Sequence, residues 1–362
     1  MDLSTVVAGI PLANPLMPAS GPLVGDERKM LAIARFGVGA LVSKTISTNA
    51  AVVPRPCIYG GRDFIMNAEL WSEYPSERWI EEFLPAVRRE SKVPLFVSAG
   101  YTAEDMKTLI PRLDPFADAF EISTHYVGKD LSDIAATVRT IVAATSKPVF
   151  LKMSPHIPDP VEFARVAMEA GAAGIVAINS LGPTVALDAA ARRIVVGNSQ
   201  GEVWMSGPAI KPLALALVRR IKDALPSCTV IGVGGVATAT DVVEFLLAGA
   251  DAVQMLSAAM LKGKDLYAKI LADLPAALAK AGFASVAEAR EARLAPVQVR
   301  HEGRPPAFDL ERCTKCGLCE KICPYFAIEN GADGYPTVNA EECFGCGLCQ
   351  SRCPVAAISG VY

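Results

Sequence analysis

Residues 149–178 read "VFLKMSPHIPDPVEFARVAMEAGAAGIVAI". The five residues from Val149 and the five from Gly174 are almost entirely apolar, as strands covered on both faces require. Between them Phe163, Ala167 and Ala170 recur at three- and four-residue intervals, so "PVEFARVAMEAG" predicts a helix with one buried stripe. Two such strands joined by a helical crossover make a parallel βαβ unit.

The unit repeats in both directions. Before it come the predicted strands "LMPAS" (16–20), "ALVSK" (40–44), "LFVSA" (95–99) and "AFEIS" (119–123); after it come "TVIGV" (229–233) and "AVQML" (252–256). Helical patterns lie between them, among them "DERKMLAIARF", "SERWIEEFLPAVRRE", "LSDIAATVRTIVAAT" and "PLALALVRRIKDAL". Eight strand–helix units predict an α/β (β/α)₈ TIM barrel over residues 1–283. An open doubly wound sheet fits less well, because no strand has the character of an edge. In a barrel the chemistry gathers where strands end and loops begin.

Residues 284–308 lose the strand pattern and gain charge and proline, so they are expected to form a linker, helical at first. Residues 309–362 are then a separate module with four Lys/Arg and seven Asp/Glu, which accounts for the whole net charge of −3. That balance points to neither nucleic acid nor an anionic membrane as partner. Charged residues or proline interrupt every long apolar run, and Asp2 stands where a signal peptide needs positive charge, so a soluble cytoplasmic protein is expected. Apolar residues make up 51% of the chain, ample for a large core.

Eight of the ten cysteines fall in "CTKCGLCEKICP" and "CFGCGLCQSRCP", beginning at Cys313 and Cys343. Each run is C-x₂-C-x₂-C-x₃-C-P, the spacing in which three thiolates hold one [4Fe–4S] cluster and the fourth turns to the other. Cys313, Cys316, Cys319 and Cys353 are expected to hold one cluster, and Cys343, Cys346, Cys349 and Cys323 the second. Zinc or disulfides are the weaker readings of two perfect copies. The module resembles the bacterial two-cluster ferredoxin. Cys57 and Cys228 stand alone and read as packing thiols. Clusters move single electrons, so the attached barrel needs a cofactor that trades them for a two-electron reaction, as a flavin does and nicotinamide does not.

Several rim segments suit such a cofactor. Gly232, Gly234 and Gly235 in "VIGVGGVATATD" can bring bare amides to a phosphate, with Ser257 of "QMLSAAM" completing the grip between strands seven and eight. The run also matches G-x-G-x-x-A, but outside the dinucleotide context that gives the motif meaning. Lys44 and Lys152 end strands. Either could stabilise negative charge on a reduced flavin, or act as the Schiff-base lysine of an aldolase-type barrel.

Taken in order, "SKTIS", "MNAELWSE", "LKMSP", "AINS", "SGPAIKP", "GVGGV" and "VQMLSAAM" resemble the FMN barrel of dihydroorotate dehydrogenases. The closer likeness is to the FMN half of dihydropyrimidine dehydrogenase, which also carries a two-cluster module after its barrel. The resemblance implies FMN held by Ala19, Ser20, Lys44, Thr45 and Lys152, together with Gly207, Gly234, Gly235, Leu256 and Ser257. It implies that Asn67, Glu69, Asn179 and Ser180 face a substrate over the flavin.

The family's signature after strand four is N-[LV]-S-[CS]-P-[NH], whose cysteine or serine transfers a proton. Aligned to it, "EISTHY" puts Glu121 for the asparagine, Thr124 for the cysteine or serine, and His125 for the proline, keeping Ser123 on the substrate side. Histidine titrates near neutrality and threonine does not, so His125 is expected to lead the proton transfer, with Thr124 and Glu121 as further candidates. A packed or solvated histidine is the plainer reading of His125; His156 and His301 read as loop and linker histidines.

The expected activity is an FMN- and iron–sulfur-dependent oxidoreduction of a CH–CH or C=C bond beside a carbonyl, in a small and non-standard substrate. A separate flavoprotein subunit or ferredoxin is the expected electron partner, in a homodimer or hetero-oligomer. Uracil or thymine reduction, and a non-catalytic electron-transfer subunit, are the alternatives.

Overall fold

The computed structural model describes residues 1–100, 102–124, 130–292, 294–295, 297 and 299–362. The chain divides into two compact units, Met1–Leu294 and Ala295–Tyr362.

The first unit is built on eight parallel strands: β1 (Leu16–Pro18), β2 (Leu41–Val42), β3 (Leu95–Ala99), β4 (Ala119–Ser123), β5 (Val149–Met153), β6 (Gly174–Ala177), β7 (Thr229–Val233) and β8 (Ala252–Met255). Hydrogen bonding runs β1-β8-β7-β6-β5-β4-β3-β2. Gly39 N donates to Leu16 O at 2.8 Å across the remaining seam, so the sheet is a nearly closed TIM barrel. All eight expected strands are present, and β3, β4, β5 and β7 have the predicted bounds.

Helices α1 (Glu27–Ala34), α2 (Leu84–Glu90), α3 (Ala103–Leu113), α4 (Leu131–Val142), α5 (Pro160–Glu169), α6 (Lys211–Ala224) and α7 (Ala239–Leu247) surround it, followed by α8 (Ser257–Lys262) and α9 (Leu266–Lys280). Helix α5 shows why they form there. Asp159 caps its first amides, Pro160 opens it where no amide hydrogen is needed, and Phe163, Ala164 and Ala167 bury one stripe.

Two cores result. One lies between strands and helices. The other fills the barrel and includes Val7 and Leu12 of the antiparallel hairpin formed by Thr5–Val7 and Ile10–Leu12, packed with Met17, Phe96, Phe150 and Ile231.

Two features depart from the sequence reading. A four-stranded antiparallel sheet forms from Ile58–Gly60, Ile65–Asn67, Leu181–Thr184 and Val203–Ser206, in loops after β2 and β6. Its strands are too short to show a period. The helix Val286–Glu291 belongs to the barrel unit, because Arg290 pairs with Asp251 and donates to Thr5 Oγ1 at 2.9 Å.

The second unit is small and two-fold repetitive. Ala307–Phe308 pairs with Ile358–Ser359, and Ile328–Asn330 with Pro336–Val338. Its buried apolar core is Ala327, Ile328, Cys349, Ala357 and Ile358, joined by partly buried cysteines. Among the described residues, no helix is long and apolar enough to cross a membrane.

Candidate active site and cluster module

Side chains two apart on a strand share a face, so the barrel interior can be read upward in layers. Phe96, Ala119, Phe150 and Ala252 form an apolar lower layer. Two residues further along the same strands stand Ser98, Glu121, Lys152 and Gln254, all polar and all buried. Above this switch in polarity opens a cavity of about 1290 Å³, counting the solvent at its mouth.

All ten residues expected to hold the cofactor line this cavity, from Ala19 and Ser20 after β1 to Leu256 and Ser257 after β8. So do Asn67, Glu69, Ser123, Asn179 and Ser180. At one end Ser206 Oγ meets Ser257 Oγ at 2.8 Å. Gly235 there has φ +103°, and a Cβ on it would lie 2.5 Å from Lys211 Cβ and 2.8 Å from Lys211 Cα. The glycine is thus required both by its left-handed backbone and by the first residue of α6 packed against it.

Both cavity lysines are ion-paired. Lys44 Nζ lies 3.0 Å from Glu69 Oε2 and 2.8 Å from Glu73 Oε2. Burial alone would raise the Glu73 carboxyl, but the hydrogen bond and charge of Lys44 outweigh it and hold that group below its ordinary value. Cys57, with its thiol 3.8 Å from Glu69 Oε1, is raised by burial and by that carboxylate. Lys152 Nζ donates to Glu121 Oε1 at 3.1 Å, and Gln254 Nε2 donates to Glu121 Oε2 at 2.6 Å. Ion-paired ammoniums are the opposite of the desolvated, unpaired amine a Schiff-base lysine needs.

The loop after β4 differs from the aligned expectation. Glu121 lies wholly inside the barrel, bonded to Lys152 and Gln254, and does not line the cavity where the family's asparagine was expected. Thr124 is buried and donates its hydroxyl to Lys152 O at 2.7 Å, which spends its one proton on the backbone. Of this segment's described residues Ser123 alone lines the cavity. His125 lies outside the described residues. His156, as expected of a loop histidine, accepts from Gly182 N at 3.3 Å.

Sequence reasoning missed Gln254 and Glu73. Gln254 was legible as the one polar residue of an apolar strand, while Glu73 looked like any acidic loop residue. Trp71 and Trp204 also line the cavity.

In the second unit the eight motif cysteines form no disulfide. Cys313, Cys316, Cys319 and Cys353 line one cavity; Cys323, Cys343, Cys346 and Cys349 line another, with Cys349 touching both. These are the two sets that the swapped spacing predicts.

Residues 2–278 match the family model described as dihydroorotate dehydrogenase. The chain belongs to the dihydroorotate dehydrogenase family. It is therefore an FMN-type oxidoreductase acting on a CH–CH bond, and the glycines, lysines and hydroxyls of the cavity suit that cofactor. Residues 307–359 match the 4Fe-4S dicluster domain, so a ferredoxin-type iron–sulfur module follows the barrel. Among curated relatives, the catalytic subunit of dihydroorotate dehydrogenase B (NAD(+)) from Pyrococcus abyssi is 34% identical over 77% of this chain and 95% of its own length. Its namesakes from Pyrococcus furiosus and Geobacter sulfurreducens are each 33% identical, over 80% and 79% of this chain and 97% and 96% of their own lengths. These dehydrogenases bear the dihydroorotate name; the likeness to dihydropyrimidine dehydrogenase rests on the motifs and the appended cysteine module.

Proposed function

We propose that this dehydrogenase reduces or oxidises the carbon–carbon bond beside a carbonyl in a small uncharged amide or imide, and not in a carboxylate such as orotate. The observation that carries this reading is the charge balance of the cavity. Its two lining cations, Lys44 and Lys152, are already paired with carboxylates, and Glu69 itself lines the wall. An anionic substrate would meet a carboxylate without an unpaired cation among the described lining residues. A neutral amide suits the same wall, with Glu69 accepting an N–H and Asn67, Asn179 and Ser180 serving its carbonyls.

Lys44, Thr45 and Lys152 would hold the flavin ring, and Ser20, Gly207, Gly234, Gly235, Leu256 and Ser257 its polar tail. Bound FMN supplies the acceptor or donor of hydride. His125 is the proposed proton carrier, and the Ser123 hydroxyl, which lines the cavity, a further candidate; Glu121 and Thr124 support Lys152. Two [4Fe–4S] clusters on the swapped cysteine sets would pass electrons singly to an external partner, in line with relatives named as catalytic subunits of an NAD(+)-type enzyme. A separate flavoprotein subunit or a ferredoxin fits that role, in a homodimer or a hetero-oligomer within the reducing cytoplasm.

The test is an anaerobic one. Reduced enzyme is mixed with uracil, thymine, other neutral cyclic amides and orotate, and flavin reoxidation is followed. Reoxidation by a neutral amide with orotate inert is the expected result; equal or faster reoxidation by orotate overturns the reading.

A further inference from the structure

The buried carboxylate of Glu121 joins three strands of the barrel. It takes a hydrogen bond from Lys152 on β5 and another from Gln254 on β8, while standing on β4 itself. A carboxylate only accepts, so the Gln254 amide must turn its nitrogen to Glu121. Its oxygen Oε1 is then left as a buried acceptor without a donor. Gln254 and Lys152 both line the cavity. The floor therefore offers a ligand one cationic donor beside one bare acceptor. A ring edge carrying a carbonyl next to an N–H complements that pair, and N3–H is the only ring N–H of an oxidised isoalloxazine.

The geometry points to Glu121 as a positioning residue that sets the flavin potential through Lys152, and to Gln254 Oε1 as the acceptor for the ring N3–H. This rests on FMN being the bound group. An unopposed ammonium at the floor would favour the negative charge of a reduced ring strongly; Glu121 opposes it, at hydrogen-bond distance and out of solvent. The carboxylate thereby holds the potential lower than Lys152 alone would set it. Low potential suits a flavin that shares electrons with iron–sulfur clusters.

The experiment uses the full chain with its clusters, and follows the flavin midpoint by anaerobic dye equilibration. Glu121→Gln is expected to shift the potential positive, Lys152→Met to shift it negative, and the double variant Glu121→Met/Lys152→Met to return it towards wild type. Should Glu121→Gln fail to fold, the last two carry the test. No positive shift in Glu121→Gln, or a double variant no closer to wild type than Lys152→Met, overturns the assignment. For Gln254, wild type reconstituted with N3-methyl FMN is expected to bind it about tenfold or more weakly than FMN, and Gln254→Met to lose that preference. Equal binding of the two flavins by wild type overturns the Gln254 contact. Wild type that takes up no FMN at all refutes the cofactor reading instead, so the two failures are distinguishable.

Discussion

Lys44 reaches the cavity with its charge already answered: its ammonium stands 3.0 Å from Glu69 and its side chain is 3% exposed. A lysine at the end of β2 reads in the sequence as a free cation awaiting an anion. In the folded protein it anchors a carboxylate on the cavity wall. The proposed preference for an uncharged substrate rests on the charge of that wall more than on its shape.

Glu69→Gln tests that wall. The variant keeps the side-chain volume and leaves Lys44 its bond to Glu73 at 2.8 Å. Losing a hydrogen bond to a charged acceptor costs about 1.5–3 kcal/mol, so kcat/KM for a neutral amide is expected to fall ~10- to 150-fold. Steady-state kinetics on the amide and on orotate side by side check this, with orotate expected to suffer less.

Gly235→Ala should damage the rim without touching any reactive group. Its φ of +103° already disfavours alanine, and the new methyl would lie 2.9 Å from Lys211 N, where backbone must move. A loss of roughly 1–3 kcal/mol in stability is expected, together with a lower flavin content. Thermal unfolding and the flavin-to-protein absorbance ratio measure both.

The alkaline limb of stability should depend on Lys211. Burial alone would lower this ammonium, but bonds to Asp241 at 2.5 Å and Glu244 at 2.6 Å outweigh it and raise it above the ordinary lysine value. A group raised on folding contributes in full below its unfolded value, near pH 10.4, and loses that contribution as pH climbs through the folded value. Lys211→Met should therefore flatten the fall of Tm above about pH 10 relative to wild type. An unchanged alkaline slope would count against the triad.

Cys316→Ala should remove one cluster and leave the flavin. If two cubanes are present, iron should drop from about eight to about four per chain. Substrate should still bleach the flavin, while transfer to an external acceptor is lost. Chelation of all iron should unfold the module, whose buried apolar core is small: Ala327, Ile328, Cys349, Ala357 and Ile358. Iron analysis and circular dichroism of the same sample decide this.

By itself the sequence determined everything that depends on spacing along the chain. Apolar runs alternating with helical stripes dictated eight strands and their order, because a strand buried on both faces has no other residues to use. The cysteine runs grouped the thiols into two interleaved sets, because x₂ and x₃ spacings limit how far a thiolate can reach, and each set lines a cavity of its own. Lysines, glycines and serines at strand ends stood out for the same reason, and of those singled out for the cofactor all but Gly232 line one cavity. Only the tertiary structure decided which charges meet. Glu121 and Lys152 are 31 residues apart and Glu121 and Gln254 are 133 apart, and nothing local brings them together. Barrel closure and strand register do so, by setting which of two alternating faces points inward and at what height. Parity points Glu121 and Ser123 to the same inner face, and height separates them: Glu121 lies buried below the cavity, and Ser123, two residues further along, lines it.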